Sequence, residues 1–361
     1  MRTGDLWKGG ERGLAIDPFQ FYEYRAALHV HTRYSDGSES LDKIVKWARQ
    51  RGLDILWVTD HNVLGEVPGY REHVLCLVGE EITPPTNHYL AFGIRQPIGP
   101  EGPLADIVRD VADQCGVGFI AHPDDPGNPL LGLPAYRWTD RTATGFTGLE
   151  VMNHLSRCSE VLTDGLALLR WGWRLSRAVD AASFKTLQLW DALGQQRRVV
   201  GMGGVDAHGI RWRTRWGSWP IFSYSASFAT VRTHFYLTRP LNGRDWYPDE
   251  QLLVAALRQG RVAIVNGLEG SERGFRFGGR HPNGNVVPMG GEVVWEPGWS
   301  LWGLSPVVAD WEVWHNGVRI DRVQTTILTI PVAAPGVWRV VLRKAGRRAV
   351  WIYSNPVYFR P

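Results

Sequence analysis

The stretch LHVHTRYSDG, Leu28 to Gly37, lies inside the first hydrophobic run of the chain and sets His29 and His31 in alternation with Leu28 and Val30. Successive side chains of a strand point to opposite faces. If 26–32 is a strand, Leu28 and Val30 share the packed face and His29 and His31 project together from the other. Two neighbouring imidazoles repel once protonated, and burying them neutral leaves ring nitrogens to satisfy. A metal ion resolves both problems, since imidazole nitrogen ligates zinc, manganese and iron. The competing reading is a pair of core histidines bonded to backbone, and the rest of the chain must choose between the two.

Outward from this stretch, strand-like and helix-like segments alternate from Ala26 to about Asn266. AALHVHT is followed by LDKIVKWARQRG, whose Ile44, Val45, Trp47 and Ala48 recur at helical spacing. DILWVTDH, HVLCLVGEEIT, HYLAFGI, the helix PLADIVRDVADQCG, GVGFIAHP, GLEVMN, a long helical region near 160–198, VVGMGGVDAH and VRTHFYLT come next. Pro248 and Asp249 open a further helix, DEQLLVAALRQGR. Such alternation implies parallel strands with crossover helices, and about seven or eight strands suit a closed (β/α) barrel. After Gly267 the helix patterns stop. GGEVVWEP, SPVVADWEVWHNGVRI, TTILTIPV, VWRVVLRKAGRRAVWIYS and NPVYF read as successive strands with turns at HNG and KAGR. The expected organisation is an N-terminal lead-in over 1–25, an α/β barrel over 26–267, and a small all-β, sandwich-like domain over 268–361, joined near 268–285.

Composition narrows the class. The 361 residues are 44% hydrophobic and 21% charged with a net charge of +4, as expected of a globular protein with a mild preference for anionic ligands. Basic residues are scattered, and the one dense group, IRWRTRW at 210–216, does not resemble a nucleic-acid recognition helix. Cys76, Cys115 and Cys158 stand far apart without CxxC spacing, which points away from a disulfide framework and towards a reducing cytoplasm. No apolar run has the length of a membrane span, and MRTGDLWKGGERG lacks a secretory core. Neither nucleic acid nor membrane is an expected partner, and the oligomeric state is left open.

In nearly every barrel strand an acid or imidazole stands at the C-terminal end. His29 and His31 end the first strand, with Asp36 in the loop beyond; Asp60 and His61 close the second. Glu80 and Glu81 end HVLCLV, His88 opens the next strand, His122 ends GVGFIAHP, Glu150 ends its run, and Asp206 and His208 close VVGMGGVDAH. Barrel enzymes build their sites on that face. Five strand ends converging on histidine and carboxylate point to a polynuclear metal site, and the opening pair then reads as ligands.

HVHTRYSDG, TDHN, GEE followed by NHYL, AHPD and GGVDAHG resemble, in order, the motifs of the PHP (polymerase and histidinol phosphatase) metal-dependent phosphoesterases, over about residues 26–240. The spacing of the first two motifs and the ending SNPVYF are similar to a subgroup named for carbaryl hydrolases. The resemblance implies a distorted (β/α)7 TIM-like barrel holding two or three divalent ions, zinc, manganese or iron. It implies His29, His31, Asp36, His61, Glu81, His88, His122, Asp206 and His208 as ligands. Many family members have histidine where this chain has Asp36, which puts the third metal in question. The family's GxE pattern favours Glu81 over Glu80, and strand alternation agrees that only one of them faces the cluster.

The remaining polar residues have two readings each. Asp60 either orients His61 or moves a proton; Glu150 and Asn153 either line the site or pack. His73, His154, His281 and His315 fall outside the motifs and read as ordinary surface or core histidines, and His234 reads as structural, with reach into the pocket as its alternative. Arg33, in the first motif loop, and Arg211, Arg213 and Arg215 are candidates for phosphate recognition, and Trp212, Trp216 and Trp219 for an aromatic wall or a lid. The expected activity is hydrolysis of a small-molecule phosphoester, mono- or diester, by a metal-activated hydroxide, with Asp60 and Arg33 as catalytic candidates. A carboxylic ester or carbamate hydrolase on the same metals is the alternative, ahead of a non-catalytic metal-binding scaffold. The substrate expected is an anionic or aromatic ester.

Overall fold

The computed structural model describes residues 17–140, 142–162, 164, 180–214, 217–270 and 273–361, with backbone alone at 131, 211–214 and 217–220. The helical spacing of LDKIVKWARQ becomes α1 (Leu41–Gln50), whose Leu41, Ile44, Val45 and Ala48 form one buried stripe. Helix α2 (Leu104–Asp113) repeats the pattern with Leu104, Ile107, Val108 and Val111. The helical region expected near 160–198 holds α3 (His154–Val161) and α4 (Phe184–Gln196), with 165–179 outside the described residues. A short α5 (Tyr224–Ser227) precedes α6 (Trp246–Arg258). Helix α6 starts two residues before Pro248, because the Asp245 carboxylate accepts the Tyr247 amide and caps it there.

The strands before Gly267 are β1 (Tyr22–Val30), β2 (Ile55–His61), β3 (Gly69–Arg71), β4 (Val74–Ile82), β5 (Tyr89–Phe92) and β6 (Val117–Ile120). They continue with β7 (Gly148–Asn153), β8 (Val200–Gly204), β9 (Ile210–Thr214), β10 (Gly217–Phe222), β11 (Val231–Leu237) and β12 (Val262–Asn266). β1 pairs parallel with β2, β2 with β4, β6 with β7 and β7 with β8. The expectation of parallel strands throughout is corrected at two places. β5 runs antiparallel to both β4 and β6, because the six residues 83–88 are too few for a crossover. β11 and β12 also pair antiparallel, beside β1. Past β8, the amides of Val205 and Ala207 donate to Leu28 and His29 carbonyls, and the His31 amide donates to Ala207.

The alternation expected at Leu28 to His31 fails in the structure. Tyr24, Ala26 and Leu28 pack on the face shared with Trp57, Leu77, Phe92 and Phe119, whereas Ala27 and Val30 pack towards α1. The register against β2 slips between Ala27 and Val30, and His29 has φ 63°. One extra residue is inserted here, a β-bulge that re-aims the side chains beyond it. Strict alternation from Leu28 would put His29 and His31 on the helix side. The bulge turns both to the inner face.

The C-terminal region is all strand: β13 (Arg276–Arg280), β14 (Val286–Pro288), β15 (Glu292–Val294), β16 (Ser300–His315), β17 (Val318–Pro331), β18 (Gly336–Lys344), β19 (Ile352–Ser354) and β20 (Val357–Arg360). β16 and β17 turn through Asn316 and Gly317, both at positive φ, as the HNG pattern anticipates. The stretch 268–285, read as a joining segment, contains β13, which pairs with β16. β19 pairs with β12, so one hydrogen-bonded sheet runs from the α/β part into the C-terminal strands. Phe275, Phe277, Trp299, Trp311, Trp351 and Phe359 are in the hydrophobic cluster of this region. Cys76, Cys115 and Cys158 are free thiols, and among the described residues no helix is long and apolar enough to cross a membrane.

Candidate metal centre

On β2 and β4 the period of two holds, and it decides which acid enters the site. Glu81 shares a face with Leu75 and Leu77, whereas Glu80 lies with Cys76 and Val78 and accepts the Ile98 amide at 2.9 Å. Burial holds the Glu80 carboxyl up at about 7. Asp60 likewise points away from the cluster while His61 points in.

The structure brings the nine expected ligands into four overlapping groups, within each of which one donor atom per residue lies inside 4.8 Å of the others. Glu81 is the hub. Its Oε2 stands 3.1 Å from His29 Nε2, 3.2 Å from His31 Nε2 and 3.3 Å from His61 Nδ1. Its Oε1 stands 3.0 Å from His88 Nδ1 and 3.1 Å from His122 Nε2. Asp206 Oδ1 lies 3.4 Å from both His29 Nε2 and His208 Nδ1, and 3.5 Å from His31 Nε2. Asp36, on the exposed loop, reaches His208 Nε2 at 3.2 Å and His61 Nε2 at 3.5 Å. Each carboxylate thus faces several imidazoles, the arrangement in which an acid can bridge two cations.

Backbone strain concentrates at the same positions. His29, His122 and Asp206 have φ of 63°, 25° and 50°, a region non-glycine residues adopt at a cost of roughly 1–3 kcal/mol each. The protonation pattern follows from crowding. Burial opposes charge on His122 and His208, yet the Glu81 and Asp36 carboxylates bring each up to about 9. Burial and the neighbouring His208 push His31 down. Burial raises Glu81 and Asp206, but the surrounding histidines, His29 foremost, hold both well below the usual carboxylate range.

The donor set fits divalent cations. His31 is fully buried and neither of its ring nitrogens makes a hydrogen bond, and the Nδ1 atoms of His61 and His122 are likewise buried and unbonded. Buried imidazole nitrogens left without a hydrogen bond, beside carboxylate oxygens, are what a zinc, manganese or iron ion satisfies.

The residues around the cluster resolve several open readings. Glu150 Oε1 holds His29 Nδ1 at 2.9 Å, and its Oε2 accepts the His122 amide at 2.8 Å and Asn153 Nδ2 at 2.9 Å. Asn153 also donates to Asp206 Oδ2 at 3.2 Å and caps α3 through Ser156. Asp60 makes no bond to His61. It accepts the Thr32 amide, the Thr32 hydroxyl and the Ser35 hydroxyl at 2.6–2.7 Å, clamping the loop that carries Asp36. Arg33 is exposed, and among the described residues its side chain has no hydrogen-bond or ion-pair partner. The side chains of Arg211, Arg213 and Arg215, and of Trp212, Trp216 and Trp219, lie outside the described residues. Among the described residues no arginine or lysine pairs with a cluster carboxylate. His234 sits away from the cluster, bonded to Glu23 at 2.8 Å. Tyr136, absent from the sequence reading, lies over His88 with ring centroids 4.2 Å apart. No motif surrounds it, and only the folding of its loop over the cluster reveals it.

Residues 27–95 match the model of the PHP domain. An uncharacterized protein of Methanocaldococcus jannaschii is 25% identical over 124 residues, 30% of this chain and 72% of its own length. A mannonate dehydratase of Chromohalobacter salexigens is 28% identical over 155 residues, 39% of this chain and 36% of its own. A crystal structure of a two-domain protein from Bacteroides vulgatus, described as containing a predicted PHP-like metal-dependent phosphoesterase, overlays with a TM-score of 0.46 at 14% identity, covering 96% of this chain and 97% of its own. The segment that matches the PHP domain model, 27–95, supplies six of the nine cluster side chains.

Proposed function

We propose that this protein is a metal-dependent hydrolase of small-molecule phosphoesters, mono- or diesters, working with two or three divalent ions. The observation that carries the reading is Glu81, one buried carboxylate facing three histidines on one oxygen and two on the other. His29, His122 and Asp206 would hold one ion, and His31, Asp36, His61 and His208 another, with Glu81 shared and His88 beside it. Ions of this kind supply Lewis acidity and a nucleophile at neutral pH.

The chain's own residues set the geometry for that chemistry. With the Glu150 carboxylate accepting from a protonated His29 Nδ1, the Nε2 lone pair would face Glu81 and Asp206. Asp60 fixes the loop at Thr32 and Ser35, and so places Asp36 across from His61 and His208. The bonds from 205–207 back to β1 support a barrel closed between β8 and β1, and we infer that 26–267 is the hydrolase unit, that 268–361 supports it, and that the protein works in the cytoplasm on a small molecule.

A second reading, hydrolysis of a carboxylic ester or carbamate on the same ions, is favoured by Arg33. Its exposed, unpaired guanidinium leaves the described cluster without a cation to hold a phosphate oxygen. Matched nitrophenyl substrates separate the two: phosphate monoester, phosphodiester, acetate and carbamate, assayed with manganese- and zinc-loaded protein. Preference for the phosphorus esters, abolished in His31→Ala, is the expected result. Preference for the carbonyl substrates replaces the first reading by the second, and full turnover by chelator-treated protein rules out both.

A further inference from the structure

Arg25, Asp54 and Val74 stand one rung before Ala26, Ile55 and Leu75, where the parallel pairing of β1, β2 and β4 starts. These residues lie at the end of the sheet opposite the metal centre, about 20 Å away at ~3.3 Å per strand residue. A pocket of about 470 Å³ opens there between the end of α1 and the turn before β4. It is lined by Arg25, Arg49, Gly52, Asp54, Glu72 and His73, with Leu53 and Val74 at its base.

Charge around this pocket is out of balance. Arg25 approaches Asp54 Oδ2 through Nε at 3.5 Å, and Arg273 donates to the same oxygen at 2.7 Å. Arg232, 5% exposed, lies close enough to feel both Arg25 and Asp54. Three guanidiniums therefore share one carboxylate. Arg49 is already paired with Glu72 at 3.0 Å, and Glu23 with His234 and Arg276. The end of α1 supplies a further acceptor, the Arg51 carbonyl that takes Arg232 Nη2. A helix C-terminus offsets about half a charge at most, which leaves a cationic surplus. Several donors also lack acceptors. Arg25 Nε, Arg232 Nη1 and Arg273 Nε are buried without a hydrogen bond. Among the described residues the outer edge of Arg25 donates to no protein group. Gly52, at φ 68°, borders that edge: a Cβ there would meet Arg25 Nη2 in ordinary contact at 3.5 Å. Burial and the Arg25 and Arg51 charges push Arg232 down to about 10, the mark of cations crowded without enough counter-charge.

We propose that this pocket binds a phosphate-sized oxyanion carried by a small metabolite, with Arg25 as its anchor, Arg49 at its rim and Arg273 behind. A planar guanidinium fork with both outer nitrogens free is the group that takes a tetrahedral oxyanion bidentately. The site is separate from the metal centre and its occupancy does not depend on the hydrolytic reading.

Calorimetric titration of the full chain with inorganic phosphate, in chelator so that the nine-residue cluster holds no ion, tests this. Saturable binding is expected, weakened at least tenfold in Arg25→Gln and several-fold in Arg49→Gln, and unchanged in His31→Ala. Absence of saturable binding to the unaltered protein overturns the proposal. So does binding that survives both arginine changes, or that disappears in His31→Ala. If Arg25→Gln does not fold, Arg49→Gln decides alone, since that side chain is 63% exposed and its loss leaves the core intact. Succinate is the comparison titrant, and tighter binding of succinate than of phosphate overturns the assigned ligand class.

Discussion

Glu150 Oε1 lies 2.9 Å from His29 Nδ1, and both side chains are almost wholly buried. The second oxygen of the same carboxylate accepts the His122 amide, so one acid positions two cluster histidines, one on β1 and one just past β6. Partners of this kind fix the ring and its tautomer, and their loss typically costs 10–100-fold in metal affinity. Glu150→Ala is therefore expected to weaken manganese or zinc binding by that factor, and Glu150→Gln, which keeps an acceptor oxygen, by less. Competition against a chromophoric chelator measures both. Equal affinities in the three proteins would remove Glu150 from the site.

Gly204 explains why a pair of glycines stands just before Asp206. A Cβ on Gly204 would sit 1.9 Å from Glu150 Oε1 and 2.9 Å from the His29 Cβ. Gly204→Ala therefore drives the carboxylate off the imidazole while removing no polar group. Overpacking of this kind costs roughly 1–3 kcal/mol, and the metal affinity should fall with Glu150→Ala. Denaturant unfolding reads the first effect and chelator competition the second. A variant as stable and as tightly metallated as the unaltered protein would show that the neighbours yield freely.

Metal also belongs to the stability of this fold. The nine donors come from the ends of β1, β2 and β4, from the segments just past β6 and β8, and from the loops that carry Asp36 and His88, so an ion would tie together elements distant in sequence. A ligand that binds only the folded state stabilises it by about 2.7 kcal/mol at a hundred times its dissociation constant. The expected outcome is a melting temperature that rises with added manganese or zinc and falls with chelator. In His31→Ala the rise should shrink sharply, because that buried ring contacts both Glu81 and Asp206. A melting temperature indifferent to metal in the unaltered protein would argue that no ion bridges these elements.

Much of this arrangement was legible in the sequence because strand ends are. On β2 and β4 a period of two carries from Trp57 to His61 and from Leu77 to Glu81, so the inward residue can be counted off. At β1 the same counting fails, since a bulge is one residue inserted without a compositional mark, and His29 is the residue that bears it. The reversal of β5 was hidden in the same way: its residues suit either direction, and the shortness of 83–88 decides. Glu150 and Tyr136 gain their places from tertiary contacts alone, as do the three guanidiniums around Asp54. The pattern names which residues meet at the ends of strands, and the packing of loops and outer edges names what supports them.

His154 offers a test of burial itself. It is 1% exposed, edge-on to Phe222 with centroids 6.3 Å apart, and close to the Cys158 sulfur at 3.7 Å. Burial pushes its imidazole down to about 4, against a weaker opposing pull from Asp206. The folded protein therefore keeps this ring neutral, while the unfolded chain protonates it near 6.5. Above pH 6.5 both states are neutral and the group adds no pH dependence. As pH falls from 6.5 towards 4 the unfolded chain takes up a proton that the fold refuses, and stability declines by up to about 3 kcal/mol. His154→Gln, which does not titrate, should lose that component. Unfolding free energies at pH 7.5 and pH 5, measured in chelator for both proteins, should differ less between the two pH values in the variant. Identical differences in the two proteins would mean that His154 titrates in the folded state as freely as in water.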